Sequence, residues 1–400
     1  MQKRKVSELR LSVWIWGIFA VIGMIAAVHG QWFFLNLLLT ALFTVLMIIP
    51  HELGHAIATR WLGGKVFRIT IGSGRLAWRG TVFGFPCEIR QFPFHGSTLS
   101  LTRDRSLYRL RRFLIVISGP AVNLGFLYLI LQISDPSLSP SLAPAWCLAA
   151  ANAWILVANL FPYKLKLPTG KIPNDGLSLI MMPFLSEAKV EQMLRLYYVY
   201  EGVEALSNSQ LYHAKAIFRE GLEKYPENSF LRNGLGIACL ELGQFREARS
   251  IFTSLLNRNE ASKLLHAVLL NNLAYADILC DRHGLLEEAD SLSLQVYRNF
   301  PWVPAFKRTR GIILVELSRI DEGIALLRQA MEGNEEPRSI AVDAAYLAIA
   351  EARKGSVERA KQYLVAARQL DSRCPVLPLA QSELSEALGR FGHETVSVPM

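Results

Sequence analysis

From Leu11 to His51 the chain carries no Asp, Glu, Lys or Arg. That absence excludes an ordinary surface helix there, since such a helix needs a charged or polar face toward water. Acidic residues stay scarce well beyond this run. Residues 1–184 hold 6 Asp+Glu against 18 Lys+Arg, a net of +12, and the other 216 hold 28 against 25, a net of −3. The overall charge of +9 therefore belongs to the first half, and no nucleic-acid partner is expected from it. Paired cysteines are missing too. Cys87, Cys147, Cys239, Cys280 and Cys374 are scattered without a CxxC pair, which argues against a disulfide framework or a cysteine-held metal.

What fills the first half is apolar length. A helix crossing the hydrocarbon core of a bilayer needs about 20 mostly apolar residues. Four segments qualify: about 11–29, a second running from Trp32 through the following thirty positions, roughly 113–133, and about 144–163. The first differs from a cleaved signal peptide in its longer apolar stretch and in the span that follows it at once. Orientation follows from basic residues in short loops. Lys3, Arg4, Lys5 and Arg10 precede the first span, eleven Lys and Arg lie between the second and third, and Lys164, Lys166 and Lys171 follow the fourth. The connection SDPSLSPSLA between the third and fourth has none. Both termini are therefore expected on the cytoplasmic side, in a bacterial inner membrane.

Beyond about residue 195 the pattern changes to paired amphipathic helices with an internal repeat. Small residues recur at Ala214, Ala248, Ala289, Gly323 and Ala360, at spacings of 34, 41, 34 and 37. A Gly or Ser turn stands five residues before most of them, and a bulky residue four after, as at Phe218, Phe252, Leu327 and Leu364. This period and layout resemble the tetratricopeptide repeat, with about five units across 195–374. Such units stack into a superhelix with a concave face for peptides or helices.

The chemistry sits at the end of the second span, in His51-Glu-Leu-Gly-His55. Residues four apart share one helix face, about 6 Å apart along the axis, so His51 and His55 can bind one metal ion. Glu52 is turned roughly 100° from His51, placed to exchange a proton with water as a general base and acid. An uncompensated charge at a membrane helix centre costs roughly 2.5–3.5 kcal/mol, so ionisable residues there have partners and a function. A third ligand is needed. Asp135 lies in the expected outer loop, whereas Glu88, Asp104 and Asp175 lie on the correct side. Asp175, beside Gly176 where the chain can turn back, is favoured over Glu88. His95 is read as a loop histidine.

His51–His55, the GPAVN run from Gly119 to Asn123, and the NLFP and NDG segments between Asn159 and Gly176 resemble the site-2 protease family, over roughly residues 32–185. The resemblance implies an intramembrane zinc metalloprotease, with Zn2+ held by His51, His55 and Asp175 and with Glu52 as catalytic acid and base. Asn159 matches a position near the zinc that can stabilise an oxyanion, and Asn123 one that packs helices. Leu or Met commonly precedes the aspartate in that family; here Asn174 does.

The linker between the second and third spans reads as a small β-sheet, with β-branched and aromatic runs broken by Gly and Pro. A free edge along Val66–Ile71 would capture an extended substrate strand beside the metal. The expected architecture is mainly α: a polytopic membrane helix bundle of about four spans with a β-rich insertion (1–190), a cytoplasmic α-solenoid of repeats (191–380) and a tail (381–400). The expected partners are the lipid bilayer, a membrane-protein substrate, and a protein partner on the repeats. The alternative is a catalytically idle scaffold that assembles partners through its repeats, which the intact Glu52 argues against.

Overall fold

The computed structural model describes residues 32–134, 143–167, 170–258, 263–281, 284–334 and 336–391. The expected first span, the basic N-terminus, most of the 134–143 connection and residues 392–400 lie outside them. The chain divides into two compact units, Met1–Tyr200 and Glu201–Met400.

In the first unit, helix α1 (Trp32–Trp61) leads into strands β1 (Lys65–Val82) and β2 (Phe85–Leu101). Helices α2 (Tyr108–Ile133) and α3 (Pro144–Leu160) follow. A small hairpin, β3 (Lys164–Leu167) and β4 (Gly170–Pro173), precedes the short α4 (Asp175–Met181). Helices α1, α2 and α3 pack mutually. Helices α1 and α2 approach closely at Gly54, where an added Cβ would fall 2.8 Å from the Ser118 carbonyl oxygen. Pro50 removes one N–H from α1, yet the helix runs on through it.

Two of the described helices, α1 and α2, are long and apolar enough to cross a membrane. The fourth expected span is shorter than its hydrophobic run. Helix α3 has 17 residues and stops at Leu160, because Pro162 biases Phe161 to the extended backbone it adopts, ψ 119°. Large apolar side chains point outward along all three helices, among them Phe33, Leu37, Leu124, Leu129, Trp154 and Val157. The polar residues His51, Glu52, His55, Asn123 and Asn152 are buried between them. This inverts the usual arrangement in water, and suits a lipid surround.

The β-rich insertion is present as a long antiparallel hairpin, interrupted by bulges, whose register runs from Lys65 opposite Leu101 to Val82 opposite Phe85. Its irregularities let Ile69, Thr70 and Ile71 pair with two stretches of β2, Gly96–Thr98 and Cys87–Ile89. Ile69–Ile71 therefore has paired strand on both sides, whereas Val66 and Arg68 pair on one side only, with Ser100 and Leu99. Gly96 and Thr98 of β2 lie against Glu52 of α1.

Glu88 is occupied elsewhere in this hairpin. It is almost fully buried, with Arg79 Nη2 at 2.9 Å, Arg90 Nη2 at 2.9 Å and Arg68 Nη1 at 3.6 Å from its carboxylate. Burial alone would raise its pKa, but the Arg90 hydrogen bond and the three guanidinium charges outweigh it and hold the carboxyl below its ordinary 4.5. A carboxyl depressed on folding stabilises the fold above its unfolded pKa, and that contribution is lost as pH falls through the folded one. Glu88→Gln should therefore lower the melting temperature at pH 7, and the gap to wild type should close on acidification below about pH 4. A gap that does not change with pH would assign the loss to packing instead.

The second unit contains the C-terminal part of α5 (Glu187–Ser207) and the helices that follow. These are α6 (Leu211–Lys224), α7 (Ser229–Glu241), α8 (Phe245–Leu256), α9 (Lys263–Cys280) and α10 (Leu286–Asn299). Then come α11 (Pro304–Glu316), α12 (Ile320–Gly333), α13 (Pro337–Arg353), α14 (Val357–Leu370) and α15 (Leu377–Phe391). They form successive helix hairpins, and the small positions Ala214, Ala248, Ala289 and Ala360 are fully buried. Phe218 fills the space over Gly202 and Gly234, and Phe252 that over Gly236. The turn five residues before the small position has positive φ at Ser209, Gly243, Ser318 and Gly355, the backbone that reverses the chain between paired helices. Residues 381–391, expected as tail, are part of α15, because Leu384 and Ala387 bury against Ala352 and Ala360.

Candidate metal centre

His51 and His55 stand one turn apart on α1, and their free ring nitrogens converge. His55 Nε2 lies 3.3 Å from His51 Nε2. Asp175 Oδ2, from the first residue of α4, lies 3.1 Å from His51 Nε2 and 3.3 Å from His55 Nε2.

The partners of the other ring nitrogens fix which way the lone pairs point. His55 Nδ1 donates to the Ile115 carbonyl at 2.7 Å. His51 Nδ1 donates to Asn123 Oδ1 at 2.6 Å, Asn123 Nδ2 donates to Asn152 Oδ1 at 2.9 Å, and Asn152 Nδ2 to the Leu148 carbonyl at 2.9 Å. Each Nδ1 therefore carries the proton, and each Nε2 presents a lone pair. Two nitrogen lone pairs and a carboxylate oxygen in mutual contact repel one another unless a cation sits among them. The donor set, two imidazole nitrogens and one carboxylate oxygen, suits zinc.

Asn174 explains how Asp175 arrives there. Its Oδ1 accepts from the backbone N–H of Leu177 at 3.1 Å, capping α4, and from that of Tyr163 at 3.1 Å. Its Nδ2 donates to the carbonyls of Phe161 at 2.7 Å and Asn159 at 2.9 Å. One buried amide thus ties the end of α3 to the start of α4. Gly176 permits the same approach, since a Cβ there would fall 2.0 Å from the Leu160 carbonyl oxygen.

Glu52 is buried beside the two histidines but turned toward β2, where Thr98 Oγ1 donates to its Oε2 at 2.6 Å. It is not one of the three convergent ligands. Asn159 Nδ2 donates to the Ile155 carbonyl at 3.1 Å, on its own helix. Glu88 is held by its arginines, and His95 is not in the cluster. The packing role expected for Asn123 is too small, because it orients a ligand. Asn152 escaped the sequence reading; its signal is a lone amide in the apolar run of α3, within reach of a second amide on α2.

The profile of Peptidase family M50, the site-2 protease family, matches residues 14–334. The chain belongs to that family. Over 133 residues this M50 peptidase is 30% identical to a Nostoc sp. protein that carries the name of a zinc metalloprotease, covering 27% of this chain and 36% of that protein. Over 55 residues it is 34% identical to coatomer subunit epsilon-1 of Arabidopsis thaliana, covering 14% of this chain and 19% of that one. The chain thus spans well under half the length of these curated relatives. Among solved structures it is similar to a tetratricopeptide-repeat protein of Thermus thermophilus, at 20% identity and TM-score 0.39, over 48% of this chain and 98% of that one. It is similar also to PilF of Pseudomonas aeruginosa, at 17% identity and TM-score 0.32, over 49% and 90%.

In the M50 peptidase, Asn123→Ala should lower metal affinity or activity about 10–100-fold, the usual cost of losing a partner that orients a ligating histidine. Titration of the metal-free protein with zinc against a chelator measures it. Affinity equal to wild type would remove Asn123 from the site.

Proposed function

We propose that this M50 peptidase is an intramembrane zinc endopeptidase that cleaves transmembrane or membrane-proximal segments of protein substrates. The observation that carries the reading is the convergence of His51 Nε2, His55 Nε2 and Asp175 Oδ2, with Glu52 beside them, inside helices whose outer surfaces are apolar. His51, His55 and Asp175 would hold the ion. When bound, zinc polarises a peptide carbonyl and acidifies water. Glu52 then removes one proton from a water molecule as its oxygen attacks the carbonyl carbon. The same proton would pass to the amide nitrogen as the C–N bond breaks, giving a carboxylic acid and an amine, and the acid's remaining proton would then pass to the amine. The oxyanion would be met by Asn159 Nδ2, which has two hydrogens to donate.

The topology that fits the basic loops has four crossings of a bacterial inner membrane, with both termini cytoplasmic. The membrane domain would extend to about residue 190, and the repeats beyond it would recruit a substrate or regulator. The test compares matched membranes expressing wild type and Glu52→Gln. Truncated single-span proteins found only with wild type support the reading, and identical fragments in both overturn it in favour of a scaffold.

A further inference from the structure

The general base is held by a strand as well as by its own helix. Thr98 Oγ1, on β2, lies 2.6 Å from Glu52 Oε2 and 3.2 Å from the Glu52 main-chain carbonyl oxygen. Strand β2 reaches this position because residue 96 is glycine. A Cβ on Gly96 would fall 2.3 Å from Glu52 Oε1, so the backbone of β2 closes over one side of the carboxyl group.

A hydroxyl has one hydrogen to donate and two lone pairs that accept. The hydroxyl hydrogen belongs on Oε2, the shorter and charge-assisted contact. The Glu52 main-chain carbonyl oxygen, 3.2 Å away, keeps Thr98 Oγ1 over the same residue. Thr98 thus holds one carboxyl oxygen and leaves the other for proton exchange.

We propose that Thr98 is a positioning residue of the hydrolytic reaction, a hydroxyl that restrains the Glu52 carboxyl group through Oε2. This rests on the endopeptidase reading above and adds to it a device for keeping Glu52 aimed between proton uptake and proton delivery. A carboxyl group that rotated away in that interval would lose its proton to a competing acceptor, and the geometry needed for transfer spans only a few tenths of an ångström.

The experiment uses the full chain in detergent or vesicles, loaded with zinc, and a single-span protein cleaved by the wild type. Thr98→Val keeps the shape and removes the hydroxyl; Thr98→Ser keeps the hydroxyl. Thr98→Val should lower kcat about 10–100-fold with KM within about twofold and zinc content unchanged, and Thr98→Ser should recover kcat to within about threefold of wild type. Wild-type kcat in Thr98→Val, or a loss that Thr98→Ser does not recover, overturns the proposal. The infrared difference spectrum between each Thr98 form and its Glu52→Gln counterpart reads the Glu52 carboxyl band without any turnover. That band should shift in Thr98→Val and stay in Thr98→Ser, and an unmoved band overturns the proposal even if the protein cleaves nothing. Absence of cleavage by wild type relative to Glu52→Gln would instead sink the peptidase reading.

Discussion

Glu52→Gln should retain its metal and lose hydrolysis by about 10²–10⁴-fold, the range that a positioned acid/base group contributes. The amide has the size and shape of the carboxylate, and its oxygen can still accept from Thr98 Oγ1, so α1 and β2 keep their contact. What disappears is the ability to take a proton from water and return it to the leaving nitrogen. Because Glu52 is not among His51, His55 and Asp175, which converge without it, zinc stoichiometry in the purified protein should equal that of wild type. Two results would contradict this. Loss of the metal would make Glu52 a ligand, and unchanged hydrolysis would place the base on another residue.

Gly119→Ala should abolish activity by a different route, through the metal. Gly119 lies on α2, and a Cβ there would sit 2.3 Å from His55 Nε2 and 2.9 Å from His51 Nε2. Those are the two atoms that must face the ion. The methyl group would occupy the space over them and force the rings apart. The effect on the helix itself has the opposite sign, since Ala in a helix interior is about 0.5–1 kcal/mol better than Gly. Helix content by circular dichroism should hold while zinc content falls and hydrolysis drops at least about 10²-fold. A Gly119→Ala protein that binds zinc as wild type does would mean that α2 and α1 can separate enough to admit the methyl.

The site was legible in sequence wherever function forces residue type and spacing together. His51 and His55 are placed by helix geometry, Glu52 by its position between them, and Asp175 by the glycine that follows it. The supporting groups were not legible for a consistent reason. Asn123 and Asn152 meet across two helices, and which amide faces which ring depends on helix rotation that sequence does not specify. The hairpin posed a similar problem. Its β character follows from Val66, Ile69 and Ile71, but its bulges change the pairing within a few residues, so the segment laid on Glu52 depended on register. Residue types alone do not show that Ile69–Ile71 is paired on both sides, or that Gly96 and Thr98 lie against Glu52. The short α3, by contrast, follows from Pro162. In the repeats the turns were visible as Gly or Ser, and the left-handed backbone at Ser209 and Ser318 shows what those positions require.

The order in which the parts of the site occur along the chain also sets when activity can begin. His51, Glu52 and His55 are made first, Thr98 and Asn123 later, Asn152 after those, and Asp175 last, 120 positions beyond His55. At about 5–20 residues per second of synthesis, roughly 6–24 seconds separate the first ligands from the third. During that interval the ribosome-bound chain holds two imidazoles and a base but no complete ligand set. The cluster is thereby incomplete until α4 emerges, Asn174 caps it, and the last carboxylate is brought to the histidines.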